Sequence, residues 1–401
     1  MKKFLLFAAV AATMMSANAQ DYEVVKAWGS TDVPTSADCR QGVGMNGKFY
    51  INHKGTAATE TTEAVAPYVM VYGENGLANE QFPGGPNCGI NKDQAGHLIV
   101  SLATFPGATS WVFDDETPMI RVIDPETAEV TDLPLGGGAT FPGRLDMFGT
   151  AYGDLLEAGE LYLPYSVTSA PNSETFNGTI ARYYYEGGEV LGEDCYNPLL
   201  TPVPGIDNMT TVNAVVDADG NDAIFYYNRG GNPYLYYFNG DNLEGEQIAI
   251  PTTDDGIMRS NQAGANFFAM DGKNFVVYPC GKATNAYFDG FAILEVGADA
   301  PLFIKEPTVS VAPNAFQSNW LNVEVDGNVA TIYQYVPGKS MEVYTMTPIT
   351  TAVKDVNAQK NVAGVQYVNA AGQMSAVPFE GINVKVTSYT DGTKAATKVI
   401  K

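Results

Sequence analysis

Met45-Asn46-Gly47-Lys48-Phe49-Tyr50-Ile51 sets an Asn-Gly pair just ahead of an apolar run. Asn-Gly is a strong two-residue hairpin signal, because both central residues of a type I′ turn must accept positive φ. The arrangement returns five more times. Gln94-Ala95-Gly96 precedes His97-Leu98-Ile99-Val100, and Glu157-Ala158-Gly159 precedes Glu160-Leu161-Tyr162-Leu163. Ala218-Asp219-Gly220 stands ahead of Ala223-Ile224-Phe225-Tyr226, and Met270-Asp271-Gly272 ahead of Asn274-Phe275-Val276-Val277-Tyr278. Val325-Asp326-Gly327, before Val329-Ala330-Thr331-Ile332-Tyr333, is the last. The turn glycines recur at intervals of 49 to 63 residues.

A loop after each hairpin leads to a third apolar strand: 68–72, 119–123, 180–185, 234–238, 291–296 and 341–345. Most are followed by a turn and a weaker fourth strand, such as Val130-Thr131-Asp132-Leu133 or Gln247-Ile248-Ala249-Ile250. Three or four antiparallel strands recurring at about 50 residues are the sign of propeller blades. The expectation is an all-β chain: a six-bladed β-propeller over 20–351, then a small C-terminal β-sandwich over 352–401. The sixth unit lacks an outer strand of its own. The spare strand Tyr22-Glu23-Val24-Val25-Lys26-Ala27-Trp28 is expected to complete it and remove an exposed edge. The competing architecture is a β-sandwich with irregular hairpins.

Lys2-Lys3, the short apolar run Phe4 to Ala12 and Ala17-Asn18-Ala19 are the three parts of a secretory signal over 1–19, cleaved after Ala19. The run is well short of the roughly 18–20 apolar residues that span a bilayer. No Cys follows it to take a lipid, and no later segment is long and apolar enough to be a transmembrane anchor. The mature protein is expected outside the cell or on the outer-membrane surface.

Composition agrees with a turn-rich β protein: 41 Gly, 11% aromatic and only 17% charged residues. The net charge of −23 is uneven, because residues 352–401 hold six Lys against three acids. The acidic body makes nucleic acid and anionic membrane poor partners, since both need a basic face. No spaced Asp-rich calcium loop is present, and no metal ligand set or cofactor is expected.

The four cysteines, at 39, 88, 195 and 280, include no CxxC pair. Cys39 and Cys88 each lie eight residues before a turn glycine, at equivalent points of adjacent repeats. A Cys39–Cys88 disulfide is sterically plausible, with two buried thiols as the alternative.

From Thr351 the texture becomes rich in Ala, Val and Lys. Val365-Gln366-Tyr367-Val368-Asn369-Ala370-Ala371-Gly372-Gln373, Pro378-Phe379-Glu380-Gly381-Ile382-Asn383-Val384 and Thr397-Lys398-Val399-Ile400-Lys401 together resemble a type IX secretion C-terminal sorting domain. That resemblance implies a small β-sandwich recognised by the type IX secretion machinery and often removed. Gly381-Ile382-Asn383 departs from it, standing where Gly-x-Tyr is common. The body is loosely similar to secreted YncE-like propellers, which implies no activity.

No catalytic set is legible: G-x-S-x-G, H-E-x-x-H, Walker and G-x-G-x-x-G elements are all missing. Of the two histidines, His97 opens a strand and reads as structural, while His53 opens a long loop. Candidate ligand-binding residues come instead from the segments entering each repeat: Arg40, Arg144, Asn213, Arg259, Asn261, Gln317 and Asn319. His53 and Trp111, on loops between second and third strands, join them. Planar donors and an exposed ring suit a glycan or other small polar ligand. The competing role for the amides is to satisfy loop backbone. A secreted binding propeller is the leading expectation. A carboxylate-dependent hydrolase or lyase and a protein-interaction scaffold are the alternatives.

Overall fold

The structure is a computed structural model. It describes residues 21–34, 38–87, 89–102, 111–112, 118–135, 140–141, 149–165, 179–190, 197–198, 210–227, 233–239, 242–248, 258–259, 263–281, 288–308, 319–349, 362–390 and 394–401. The signal segment 1–19 lies outside them. The described residues are all-β, without a helix, in several small antiparallel sheets. The chain divides into two compact units, Met1–Pro348 and Ile349–Lys401.

Six four- or five-stranded sheets follow one another along the larger unit. The first runs Gly42–Met45, Lys48–His53, Tyr68–Gly73, Gly76–Pro83, and the second Ile90–Lys92, Leu98–Ser101, Pro118–Ile123, Val130–Pro134. The third runs Thr150–Asp154, Ala158–Tyr165, Thr179–Glu186, with Glu189–Val190 and Asn197–Pro198 both on the last of these. The fourth is Thr211–Val216, Asp222–Tyr227, Pro233–Asn239, Asn242–Gln247. In the fifth, Met258–Arg259 and Asn266–Met270 share one edge of Lys273–Gly281, followed by Gly290–Glu295 and Phe303–Lys305. The sixth is Trp320–Asp326, Val329–Val336 and Ser340–Pro348.

Its outer strand comes from the other end of the unit. Tyr22–Ser30 pairs antiparallel with Ser340–Pro348, from Tyr22↔Pro348 to Ser30↔Met341, with a bulge between Lys26 and Trp28. A short extra sheet pairs Trp111–Val112 with Thr140–Phe141.

Second strands bury both faces, which is why they read as unbroken apolar runs. In Lys273–Gly281, Phe275 and Val277 pack toward the sixth sheet, while Val276, Tyr278 and Cys280 pack toward the fourth. Every apolar cluster of the unit therefore spans two consecutive sheets. Val43, Tyr50 and Val71 meet Leu98 and Val100; Ile99, Ile120 and Val122 meet Leu161 and Tyr183; Tyr162 meets Val212 and Tyr226. Phe225 and Tyr227 meet Val276 and Tyr278; Phe275 and Phe291 meet Ile332 and Met346. The last cluster returns to the beginning, packing Trp320, Tyr333 and Tyr335 against Phe49, Ile51 and Cys39. Full burial of each such side chain contributes about 1.5–3 kcal/mol.

Hydrogen bonds between inner strands follow the same cycle. Ile90 N donates to Gln41 Oε1 (3.2 Å), Asn91 Nδ2 to Gly149 O (2.7 Å), and Ala214 N to Thr150 Oγ1 (3.0 Å). Asn213 Nδ2 donates to Ala265 O (3.4 Å), Leu321 N to Gly264 O (2.8 Å), and Gly44 N to Asn322 Oδ1 (3.1 Å). Each bond joins one sheet to the next, and the sixth joins the last sheet to the first.

Two expected elements shift. The third hairpin turns at Leu155–Glu157 rather than at Glu157-Ala158-Gly159, because Asp154 Oδ1 accepts the Leu156 N–H at 2.8 Å and fixes the turn earlier. Gly159 becomes a strand residue paired with Gly153. The fourth strand expected at 247–250 runs Asn242–Gln247, pairing from Asn239↔Asn242 directly after the third strand.

The smaller unit contains one four-stranded antiparallel sheet, ordered Met374–Ser375, Val362–Asn369, Ile382–Tyr389, Lys394–Ile400. A second layer, as a sandwich requires, is not among the described residues. Asn383 is the buried residue of this sheet among the described residues. Its amide donates to Phe379 O and Gly381 O and accepts from Phe379 N, holding the turn that enters the strand.

Candidate functional site

Strands of sheets two to six line a half-open cavity of about 240 Å³. Asn91, Asn213, Asn266 and Asn322 line it from four different sheets, with Thr150 from a fifth and the cation Lys92. Inter-sheet hydrogen bonds position Asn91, Asn213 and Asn322, and the next residue in the strand holds Asn266. Asn91 uses both ends of its amide, donating to Gly149 O and accepting Lys92 N, whereas the other three use one end. Asn266 Oδ1 accepts Phe267 N at 2.8 Å, and Asn322 Oδ1 accepts Gly44 N. Among the described residues, Asn266 Nδ2, Asn322 Nδ2 and Asn213 Oδ1 make no hydrogen bond. The cavity therefore offers two amide donors and one acceptor to whatever fills it.

Lys92 closes one side of this space. Its ammonium donates to Glu324 Oε1 at 3.1 Å and Gly44 O at 3.4 Å. Burial pushes its pKa below the ordinary lysine value, against the opposing pull of Glu324. Glu324 Oε2 accepts Asn46 N (2.9 Å) and the Tyr333 hydroxyl (2.7 Å), and that hydroxyl accepts Gly47 N (2.8 Å). Burial and the neighbouring Glu324 carboxylate both raise the Tyr333 pKa, so the phenol stays a neutral donor. No Asp or Glu lines the cavity among the described residues.

Of the residues expected from sequence, the structure brings Asn213 into this cavity. Asn319 is fully buried elsewhere: its Nδ2 donates to Gly290 O (2.8 Å) and Phe288 O (3.3 Å), and its Oδ1 accepts Gln334 Nε2 (2.8 Å). That amide satisfies buried backbone and side-chain polar groups, the competing role foreseen for it. Arg40 is half-buried, and its carbonyl accepts Trp320 Nε1 at 2.6 Å. His53 Nδ1 accepts Gly55 N at 3.0 Å while its ring stacks on Tyr68 at 4.9 Å, folding the base of its loop. Trp111 pairs with Phe141, and Arg259 with Cys280, through strand backbone. Arg144, Asn261 and Gln317 lie outside the described residues.

Cys39 is fully buried between the sixth and first sheets, and Tyr335 donates its hydroxyl to the Cys39 carbonyl at 2.6 Å. Cys88 lies outside the described residues. Cys280 carries a free, buried thiol, which burial pushes up to about 12.

The cavity's lining continues toward the hairpins through Gln94, Val216, Ala269 and Val325. That end is opposite the entry segments, where the sequence placed the ligand. Asn91, Asn266 and Asn322 escaped the sequence reading because each lies inside an inner strand. What could have found them is an asparagine recurring five to seven residues before the turn glycine in four of the six repeats.

Such a body of small antiparallel sheets around a polar cavity defines an all-β protein with a candidate small-molecule pocket. No protein-family model matches the chain, and no curated protein matches it. It is similar in structure to a DUF4623 family protein from Bacteroides eggerthii (TM-score 0.49, 10% identity, covering 78% of this chain and 71% of that one). It is also similar to the N-terminal domain of Nup159 (TM-score 0.35, 8% identity, covering 83% and 98%). Likenesses at this level assign neither family nor activity.

Proposed function

We propose that this chain is a secreted six-bladed β-propeller, of the YncE-like kind its sequence resembles, that binds a small polar ligand along its axis. The cyclic order of apolar clusters and inter-sheet hydrogen bonds supports the six-bladed reading. The binding reading is carried by the unengaged amide groups of Asn213, Asn266 and Asn322 facing one cavity. Ligand clefts for drug-sized molecules run from about 300 to 1,000 Å³. A space of about 240 Å³ suits something smaller, such as one sugar ring at the end of a glycan.

The alternative of a carboxylate-dependent hydrolase needs two acids across the scissile bond. The absence of acids from the described lining weighs against it here. Glycan arrays and titration calorimetry with neutral monosaccharides and uronates test the binding reading. Asn266→Ala is expected to weaken binding about fivefold to tenfold, one hydrogen bond's worth. Trp111→Ala and Arg259→Ala probe the entry face. If only those two variants alter binding, the ligand sits at that face and the axial site is wrong.

We also propose two export addresses: residues 1–19 for the Sec route and 352–401 for the type IX machinery. In a host with that system, a chain ending at Pro348 is expected to stay in the periplasm. Its appearance in the medium at full-length levels would remove the second address.

A further inference from the structure

Asp93, His97 and Asp154 stand apart from the cavity lining, at the hairpin turns of the second and third sheets. Asp93 and His97 bracket the turn Gln94-Ala95-Gly96 of the second sheet. Asp154 starts the turn of the third, and Gln94 N–H···O=C Gly153 (3.2 Å) ties the two turns together. His97 Nδ1 lies 3.0 Å from Asp93 Oδ2 and 3.5 Å from Asp154 Oδ1, and the three residues bring one ligand atom each within 4.8 Å of the others.

We propose that these three side chains form a binding site for one divalent transition-metal ion of the zinc type. A tetrahedral ion with bonds of about 2.0–2.2 Å holds its ligand atoms about 3.3–3.5 Å apart, and the two observed separations bracket that value. The donor chemistry, two carboxylate oxygens and one imidazole nitrogen, suits Zn²⁺ better than the all-oxygen preference of Ca²⁺. The charge balance points the same way. Two carboxylates face one imidazole, so the group is negative even when His97 is protonated. Among the described residues, neither carboxylate pairs with a Lys or Arg.

Asp93 is the telling member, because its carboxylate is completely buried. Its Oδ1 is held by the His97 N–H at 2.8 Å, and its Oδ2 meets the His97 Nδ1 at 3.0 Å, a contact that the ion would take over by binding both atoms. A buried anion beside a second anion is costly unless a cation completes the set. His97 and Asp154 retain 17% and 25% side-chain exposure, which gives the ion an entry path and room for a water as fourth ligand. The ion would clamp the second sheet to the third at their turns.

Untagged mature protein, stripped with chelator, is titrated with Zn²⁺ alone and Ca²⁺ alone by calorimetry and thermal melting. The expected result is one saturable Zn²⁺ equivalent with a raised Tm, and no comparable Ca²⁺ response. Asp154→Asn keeps an acceptor for Leu156 N and is expected to lower Zn²⁺ affinity by more than about tenfold, with the metal-free Tm little changed. His97→Asn is expected to do the same. If it fails to fold, the visible d–d bands of bound Co²⁺ in wild type and Asp154→Asn decide. No Zn²⁺ binding, or binding and Co²⁺ spectra that Asp154→Asn leaves unchanged, overturns the site and leaves a His–Asp hydrogen-bond cluster.

Discussion

Gly44 N–H donates to Asn322 Oδ1 at 3.1 Å, across 278 residues of sequence, and the Tyr333 ring fills the space a Cβ on Gly44 would need. This is where the last sheet meets the first, and the fit depends on there being no side chain. Gly44→Ala is expected to cost about 1–3 kcal/mol through overpacking, measured by urea denaturation. Gly73→Ala is the control: its added methyl meets open space, so its effect should stay within about 0.5 kcal/mol.

Tyr22 lies three residues beyond the expected cleavage site and is 3% exposed, its ring edge-on to Phe275 at 5.3 Å. The closing strand is thus anchored by its first described aromatic. Tyr22→Ala should cost about 3 kcal/mol. A chain beginning at Thr31 should aggregate through the unpaired edge of Ser340–Pro348. Light scattering and the denaturation midpoint check both outcomes.

Glu342 sits between Lys26 of the closing strand, at 2.6 Å, and Lys305 of the fifth sheet, and accepts the Tyr344 hydroxyl at 2.8 Å. Burial alone would raise its pKa. The Lys305 charge, and hydrogen bonds from Lys26, Lys305 and Tyr344, hold it below the ordinary value of 4.5. A depressed folded-state pKa contributes stability that is full above the unfolded value and lost as pH falls through the folded one. Stability should therefore drop below about pH 4.5, and Glu342→Gln should flatten that drop. Melting curves between pH 3 and 7 measure it.

Cys280, with its thiol pushed up to about 12 by burial, holds little thiolate at pH 8. It should resist alkylation in the native state and react on unfolding in urea. A non-reduced digest read by mass spectrometry, taken from the same samples, also reports whether Cys39 and Cys88 are joined.

The repeat was legible because its signals are local. Asn46-Gly47 and Asp271-Gly272 both adopt positive φ at each central residue, as the hairpin chemistry requires. The third strands appear within a few residues of their expected bounds, since both faces are buried and the apolar runs are unbroken. The turn at Asp154 was missed because a side-chain cap, rather than Gly159, sets it. The site was less legible. The entry-segment amides looked available for a ligand, yet Asn319 spends its amide on buried partners supplied by distant sequence. The cavity asparagines were overlooked because lining one space depends on how several separate sheets are arranged. No single repeat contains that information.

Side-chain amide NMR of protein ¹⁵N-labelled at asparagine tests the axial binding site most directly. During titration with a uronate or sugar found by calorimetry, the Nδ2 resonances of Asn266 and Asn322, assigned through their Ala variants, should shift together along one saturable curve. Its midpoint should match the calorimetric Kd. Saturable binding that leaves both resonances in place would contradict the axial site.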